Sequence, residues 1–291
     1  MALVEPKKSR LRVLTTEDKN SLFFNRKRLS PREILEHYGA PSSLLSVSSK
    51  GEGSAKVGVL SRSLFFTSGI FCPAATDNCR SLCVGHTAGR MTMESTARAR
   101  DKRSALYLTD QQRFMAMLDR EIEGLAREAA RLGKTASVRL NGCSDIPFEI
   151  LHGELFAKHS DVQFFDYTKL APRYRAFLQR TTTRGTPFPA NYHLCYSLSE
   201  KENNIVEAKE FLSAGGTVAV VFWPEKPEDT WQGYPVIDGD YHDARFLDPK
   251  GVVVSLIAKG TAPGDESGFV VRRDNPAPKW LTDLLELRSA A

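Results

Sequence analysis

"TASVRLNGCSDIPFEILHGELFAKHSDVQFFDYT", residues 135–168, reads as a strand, a helical stretch and a second strand. Its flanks, "ASVRLNG" and "VQFFDYT", are short and apolar, whereas "PFEILHGELFAKHS" between them has helical spacing. Strands joined by a helical crossover run parallel, since a tight hairpin only reverses the chain. The pattern continues through "YHLCYSL", "TVAVVFW" and "GVVVSLIA", with "LAPRYRAFLQR" and "NNIVEAKEFLSAGG" as the next two helical links. Pro224 to Lys250 breaks the rhythm and is expected to be a long irregular loop. Upstream, "SRSLFFTSGI" is a further strand, and Met93 to Leu132 is helical. There Phe114, Met115, Leu118, Ile122, Leu125, Ala129 and Leu132 recur at steps of three and four before Gly133. Six βα-type units result. A closed eightfold barrel needs two more, so the expected fold is α/β, a partial (β/α)6 TIM-like barrel; a doubly wound sheet is the alternative.

Ser30-Pro31 reads as an N-cap with proline in the first turn, opening a short helix through "REILEHYG". Residues 42–55, rich in Ser and Gly, read as a loop. The expected domains are a basic N-terminal extension with a short helix (1–55), the α/β partial barrel (56–262) and a tail with a short helix (263–291). Of the 291 residues 41% are apolar and 26% charged, enough for a sizeable core. No apolar run is long enough to span a membrane and no secretion signal is visible, so a cytoplasmic location is expected. The net charge of +5 is concentrated at one end. Residues 1–62 carry twelve Lys and Arg against six Asp and Glu, and the remainder is balanced. Such a segment can contact phosphates; a solvated N-terminal arm is the alternative.

In parallel α/β folds, functional groups gather at the carboxyl ends of the strands. Those ends carry Asn141, Ser144 and Asp145, then Asp166 and Lys169, then Ser197 and Glu200. Each alone has a plain alternative as a cap or turn residue, and Ser144 and Asp145 suit a helix start at "IPFEI". Together they suggest a polar cavity, and a cysteine-rich loop after the first strand opens at the same end.

That loop, "FCPAATDNCRSLCVGHTAGR" (residues 71–90), holds three of the five cysteines: Cys72, Cys79 and Cys83. In a reducing compartment, clustered thiols more often bind metal than form disulfides. Three thiolates with an open fourth position suit a [4Fe-4S] cluster whose unique iron takes a cofactor such as S-adenosylmethionine. His86 instead completes a Cys3His zinc site. Unligated buried cysteines are the third reading, although Asp, Asn, Arg and Gly make this loop poor core material.

The cysteine loop, "ARARDKRSALYLTD", "VRLNGCSDIPFE", "FFDYTK", "YHLCYSLSE" and "VIDGDYHDARFLDPKGVVVSLIAKG" resemble the gene product 88 family of phage- and plasmid-borne proteins, from about Lys50 to Lys259. The resemblance implies architecture more than activity. "LNGCSD" and "HLCYS" have cysteine where it implies threonine, which argues against Cys143 and Cys195 as ligands. The order of cysteine loop and barrel is also similar, at fold level, to radical S-adenosylmethionine enzymes.

The expectation is an iron-sulfur enzyme of radical S-adenosylmethionine type, with Cys72, Cys79 and Cys83 as metal ligands. Asn141, Ser144 and Ser197 would bind the cofactor, and Asp145, Asp166, Lys169 and Glu200 would be catalytic. It would need an electron donor and act on a small-molecule, nucleotide or nucleic-acid substrate, the last two favoured by the phage and plasmid context that the resemblance implies. The alternative is a metal-stapled (iron-sulfur or zinc) nucleic-acid-binding protein using the basic N-terminus with Arg98, Arg100 and Arg103. A weaker option is a metal-dependent nuclease built on Asp238, Asp240 and Asp243 in "VIDGDYHDARF", a loop that is otherwise solvated or closes the cavity.

Overall fold

The computed structural model describes residues 29–201 and 203–272. The basic run before residue 29 and the short helix expected near the C-terminus lie outside the described residues. The first helix, α1 (Pro31–Tyr38), carries a capping box: Glu33 N donates to Ser30 Oγ at 3.3 Å and Ser30 N to the Glu33 carboxylate at 2.6 Å. The stretch expected as a loop instead holds β1 (Leu45–Ser46) and α2 (Ser49–Ser54). The serine content behind that expectation serves the helix, since Ser48 Oγ accepts from Gly51 N as its cap. β2 (Val59–Leu64) follows, then α3 (Asp77–Ser81) and α4 (Val84–Thr87) inside the cysteine loop. The expected single helical run is two helices, α5 (Glu94–Thr109) and α6 (Gln111–Arg131). Asp110 separates them, and its carboxylate accepts from Arg113 N.

Next come β3 (Thr135–Arg139), α7 (Phe148–Leu151), α8 (Gly153–Lys158), β4 (Gln163–Thr168), α9 (Ala171–Leu178), β5 (Tyr192–Ser197), α10 (Asn204–Ser213) and β6 (Val218–Trp223). The expected irregular loop contains two more strands, β7 (Thr230–Trp231) and β8 (Tyr234–Asp238), before β9 (Val253–Ile257) and β10 (Val271–Arg272). Pro235 in β8 hid that strand from a pattern reading; the strand lies next to the sheet's edge, where proline is tolerated.

The ten strands form one mostly parallel sheet in the order β1-β2-β3-β4-β5-β6-β9-β8-β7, with β10 added beside β6. The pairs from β2 through to β8 are all parallel, and β1 and β7 pair antiparallel at the two ends. β1 and β10 lie outside the 56–262 span, yet both pair with strands inside it.

One face carries the main core. Val138, Phe164, Leu194, Val218 and Val253 pack there with Phe114, Leu118, Ile122 and Leu125 of the long α6. The other face is smaller and more polar: Ser61, Ser137, Cys195, Ala219 and Val254 are buried on it. Segment 239–248 covers that second face. Asp243 within it accepts from Arg139 Nη1 and Tyr167 OH, both at 3.0 Å, and Arg245 is fully buried beside Asp248 at 3.1 Å. The acidic loop is therefore a plug, not a solvated arm.

Two ladders separate early. β3 and β4 pair only at Ser137–Gln163 and Val138–Phe164, and β5 and β6 only at Tyr196–Val218 and Ser197–Ala219. Past Val138 a side chain takes over from the β3–β4 ladder, and past Leu198, whose N still donates to Ala219 O at 2.9 Å, β10 rather than β5 lies beside the carboxyl end of β6. The candidate site lies at these two gaps.

Candidate functional site

At the β3–β4 split, a carboxylate continues the ladder. Asp166 Oδ1 accepts from Asn141 N at 2.6 Å, and its Oδ2 accepts from Asn141 Nδ2 at 2.9 Å and from Tyr192 OH at 2.6 Å. Asn141 Oδ1 then accepts from Ser144 Oγ at 2.7 Å and Ile146 N at 2.8 Å, pinning the turn that follows β3. Burial pushes the Asp166 carboxyl up to about 6, against the Tyr192 hydrogen bond and the Arg173 charge. Asp166, Asn141 and Ser144 thus spend their hydrogen-bonding capacity on one another and hold the strand ends apart.

Asp145 is likewise engaged. Its Oδ1 accepts from Arg173 Nη1 at 2.7 Å, and its Oδ2 from Thr168 Oγ1 and Lys169 N. The expected caps do not form, because α7 begins at Phe148 without a side-chain cap. Arg173 also forks onto Glu149 at 2.8 and 2.7 Å and donates to Tyr192 OH at 2.7 Å. This fully buried fork, absent from the sequence reading, joins α7, α9, β4 and β5.

Among the described residues neither Lys169 nor Glu200 hydrogen-bonds a group of opposite charge. Lys169 Nζ donates to Ser197 Oγ at 2.8 Å, Leu198 O at 2.9 Å and Ser197 O at 3.4 Å, and lies 4.9 Å from the Phe269 ring centre. Burial lowers its pKa, while the charges of Cys79, Glu200 and Asp145 oppose that shift. Glu200 Oε1 accepts from Asn78 Nδ2 at 3.1 Å, and its Oε2 is buried without a hydrogen-bond partner.

The cysteine loop is clamped onto this end of the sheet. Asp145 N donates to Phe71 O at 2.8 Å, Arg80 Nη1 to Gly69 O at 2.9 Å and Lys201 Nζ to Ala74 O at 3.3 Å. Cys72, Cys79 and Cys83 are free and half-buried. Burial pushes the Cys72 thiol up to about 12 and raises Cys79, and each feels the charge of Cys83. Cys83 is held well below the usual thiol range, chiefly by a hydrogen bond from Cys143 and then by His86, whose Nδ1 lies 3.0 Å from Ser68 Oγ. Cys143, set aside by the sequence reading, therefore touches the loop, and Cys72 Sγ lies 3.4 Å from its carbonyl. Gly85 permits this approach: a Cβ there would sit 2.6 Å from Cys143 Sγ. Cys195 lies apart on the second face.

The donor set suits iron-sulfur or zinc chemistry, with three thiols on one clamped loop and His86 beside Cys83. Among the described residues, however, no three His, Cys, Asp or Glu side chains converge as a metal-binding group, so gripping an ion requires the thiols to move closer together. In the acidic plug lysines meet the carboxylates of Asp238 and Asp240. Asp240 accepts from Ile257 N at 2.8 Å and Lys259 Nζ at 2.9 Å, with Lys50 and Lys226 at 3.4 Å. Lys226 also pairs with Asp238. Arg100 and Arg103 are buried, donating to Met91 O, Ser43 O and Ser46 Oγ, so they face inward rather than toward a nucleic acid.

Against known proteins, the profile of the gene product 88 family matches residues 43–273. The chain belongs to that family. The matched span starts two residues before β1 and ends one after β10, so in this gene product 88 protein it encloses the whole sheet and both halves of the site. No curated protein and no solved structure matches the chain. Among the described residues no helix is long and apolar enough to cross a membrane.

Proposed function

We propose that this protein is an iron-sulfur enzyme of radical S-adenosylmethionine type, with a [4Fe-4S] cluster held by Cys72, Cys79 and Cys83 above an open partial (β/α) barrel. The observation that carries this reading is the clamping of a three-cysteine loop over the carboxyl ends of β3 and β5. A cluster with one iron free of protein ligands supplies an electron to cleave S-adenosylmethionine. The protein's own groups divide by what they have left to offer. Asp145, Asp166, Asn141 and Ser144 position the strand ends. Lys169, Ser197 and Glu200 face the ligand, the first as a cation and the last with an unspent carboxylate oxygen. Zinc held by the same cysteines with His86 is the competing reading, favoured by the contact between His86 and Cys83.

Anaerobic purification followed by iron, sulfide and zinc assays decides between them. The expected result is a brown protein with about four irons and absorption near roughly 400 nm, both lost in Cys72→Ala. A colourless protein carrying one zinc would end the radical reading.

A further inference from the structure

Beside the cysteine loop a cleft of about 350 Å³ opens between the starts of α9 and α10, lined by Ala74, Lys169, Pro172, Lys201, Asn204 and Glu207 among others. Two lysines reach it, and among the described residues neither has a carboxylate as a hydrogen-bond acceptor. Lys169 donates only to Ser197 and Leu198 oxygens, and Lys201 to Ala74 O. The wall also holds one acid, Glu207, whose Oε2 accepts from Tyr196 OH and Asn204 Nδ2, both at 3.0 Å, so two lysine charges face one carboxylate. Both helices also begin here without a side-chain cap, which adds positive potential to the same space. A partly buried ammonium hydrogen-bonded only to neutral oxygens, with Glu200 and Asp145 near but not bonded to it, leaves a charge for a ligand to complement.

We propose that this cleft binds the oxyanion group, carboxylate or phosphate, of a small-molecule substrate, with Lys169 and Lys201 as its cationic contacts. The volume is at the lower end for small-molecule sites. The proposal rests on the enzyme reading and names its substrate class. It also brings in Lys201, Asn204 and Glu207, none of which was marked by the sequence patterns.

The test is isothermal titration calorimetry of the full-length protein with inorganic phosphate and, separately, with acetate, each at ionic strength matched by sodium chloride. A saturable one-site isotherm with phosphate assigns a phosphate ester, and one with acetate assigns a carboxylate. Lys201→Gln should weaken binding about tenfold and Lys169→Gln should abolish it. Should Lys169→Gln not fold, the exposed Lys201 alone decides. Heats that chloride reproduces, or a Kd unchanged in Lys201→Gln, overturn the proposal. Iron is assayed on the same sample, so failure of the cluster and failure of the anion site are read separately.

Discussion

Asp101 shows how one buried group can set the pH response of the site's surroundings. It sits on α5 and accepts from Thr67 Oγ1 at 2.9 Å, behind the cysteine loop. Burial pushes its carboxyl up to about 7, more than the Thr67 bond and the nearby Arg100 charge can offset. A carboxyl raised in the folded state favours folding in its protonated form. Its contribution is complete below the unfolded value near about 4 and is lost as pH rises toward 7. Asp101→Asn keeps an acceptor for Thr67 and removes the charge. The variant should have a higher Tm than the wild type at pH 8, and the advantage should shrink as pH falls and vanish near about pH 3; a constant offset across that range would refute the assignment. Asp101 had no marker in the sequence, because α5 has no clean apolar stripe and its buried face includes Arg100, Asp101, Arg103 and Ser104. The loop cysteines, Lys169 and Glu200 were legible because their residue types are unusual at strand ends. Cys143 was not, because its contact with Cys83 depends on a close approach that only Gly85 permits.

Individual elements meet at Arg173, which stands in the first turn of α9 and draws α7, β4 and β5 together. Its guanidinium is 3% exposed and serves two buried carboxylates, Asp145 and Glu149, at once. Removing one side of a buried ion pair leaves the other uncompensated, at a cost of about 3–5 kcal/mol. Arg173→Met, with similar length and no charge, should lower the unfolding free energy read from a urea titration by an amount in that range. Arg173→Lys should recover only part, since an ammonium cannot reproduce the fork. A midpoint unchanged in Arg173→Met would mean the fork contributes nothing net. At this scale the six apolar strands could be read directly, each being a compact run between turn signals. The short edge strands could not: β1 and β10 have two residues each, too few to show a period. β8 was obscured by its proline and its half-exposed alternation.

The molecule as a whole depends on segment 239–248, which makes a sheet with two buried faces from one that would otherwise leave a polar face in water. Composition alone made "VIDGDYHDARF" look solvated; its burial follows from Arg139 and Tyr167 on β3 and β4, whose side chains point to the second face and need an acidic partner. Burial would raise the Asp243 carboxyl, but Arg139, Lys50 and Arg245 outweigh it and hold it below the usual range. Its sign is therefore opposite to that of Asp101. The stabilisation is complete above the unfolded value near about 4 and is lost as pH falls through the lower folded value. Asp243→Asn leaves Arg139 without its counter-charge, so at pH 7 it should be less stable by about 3–5 kcal/mol. On acidification the wild type sheds that advantage while the variant has none to lose, so the two urea midpoints should converge as pH falls from about 4 to 2. Midpoints that stay parallel down to pH 2 would mean that Asp243 is not held low in the fold, and that the plug is retained by apolar contact alone.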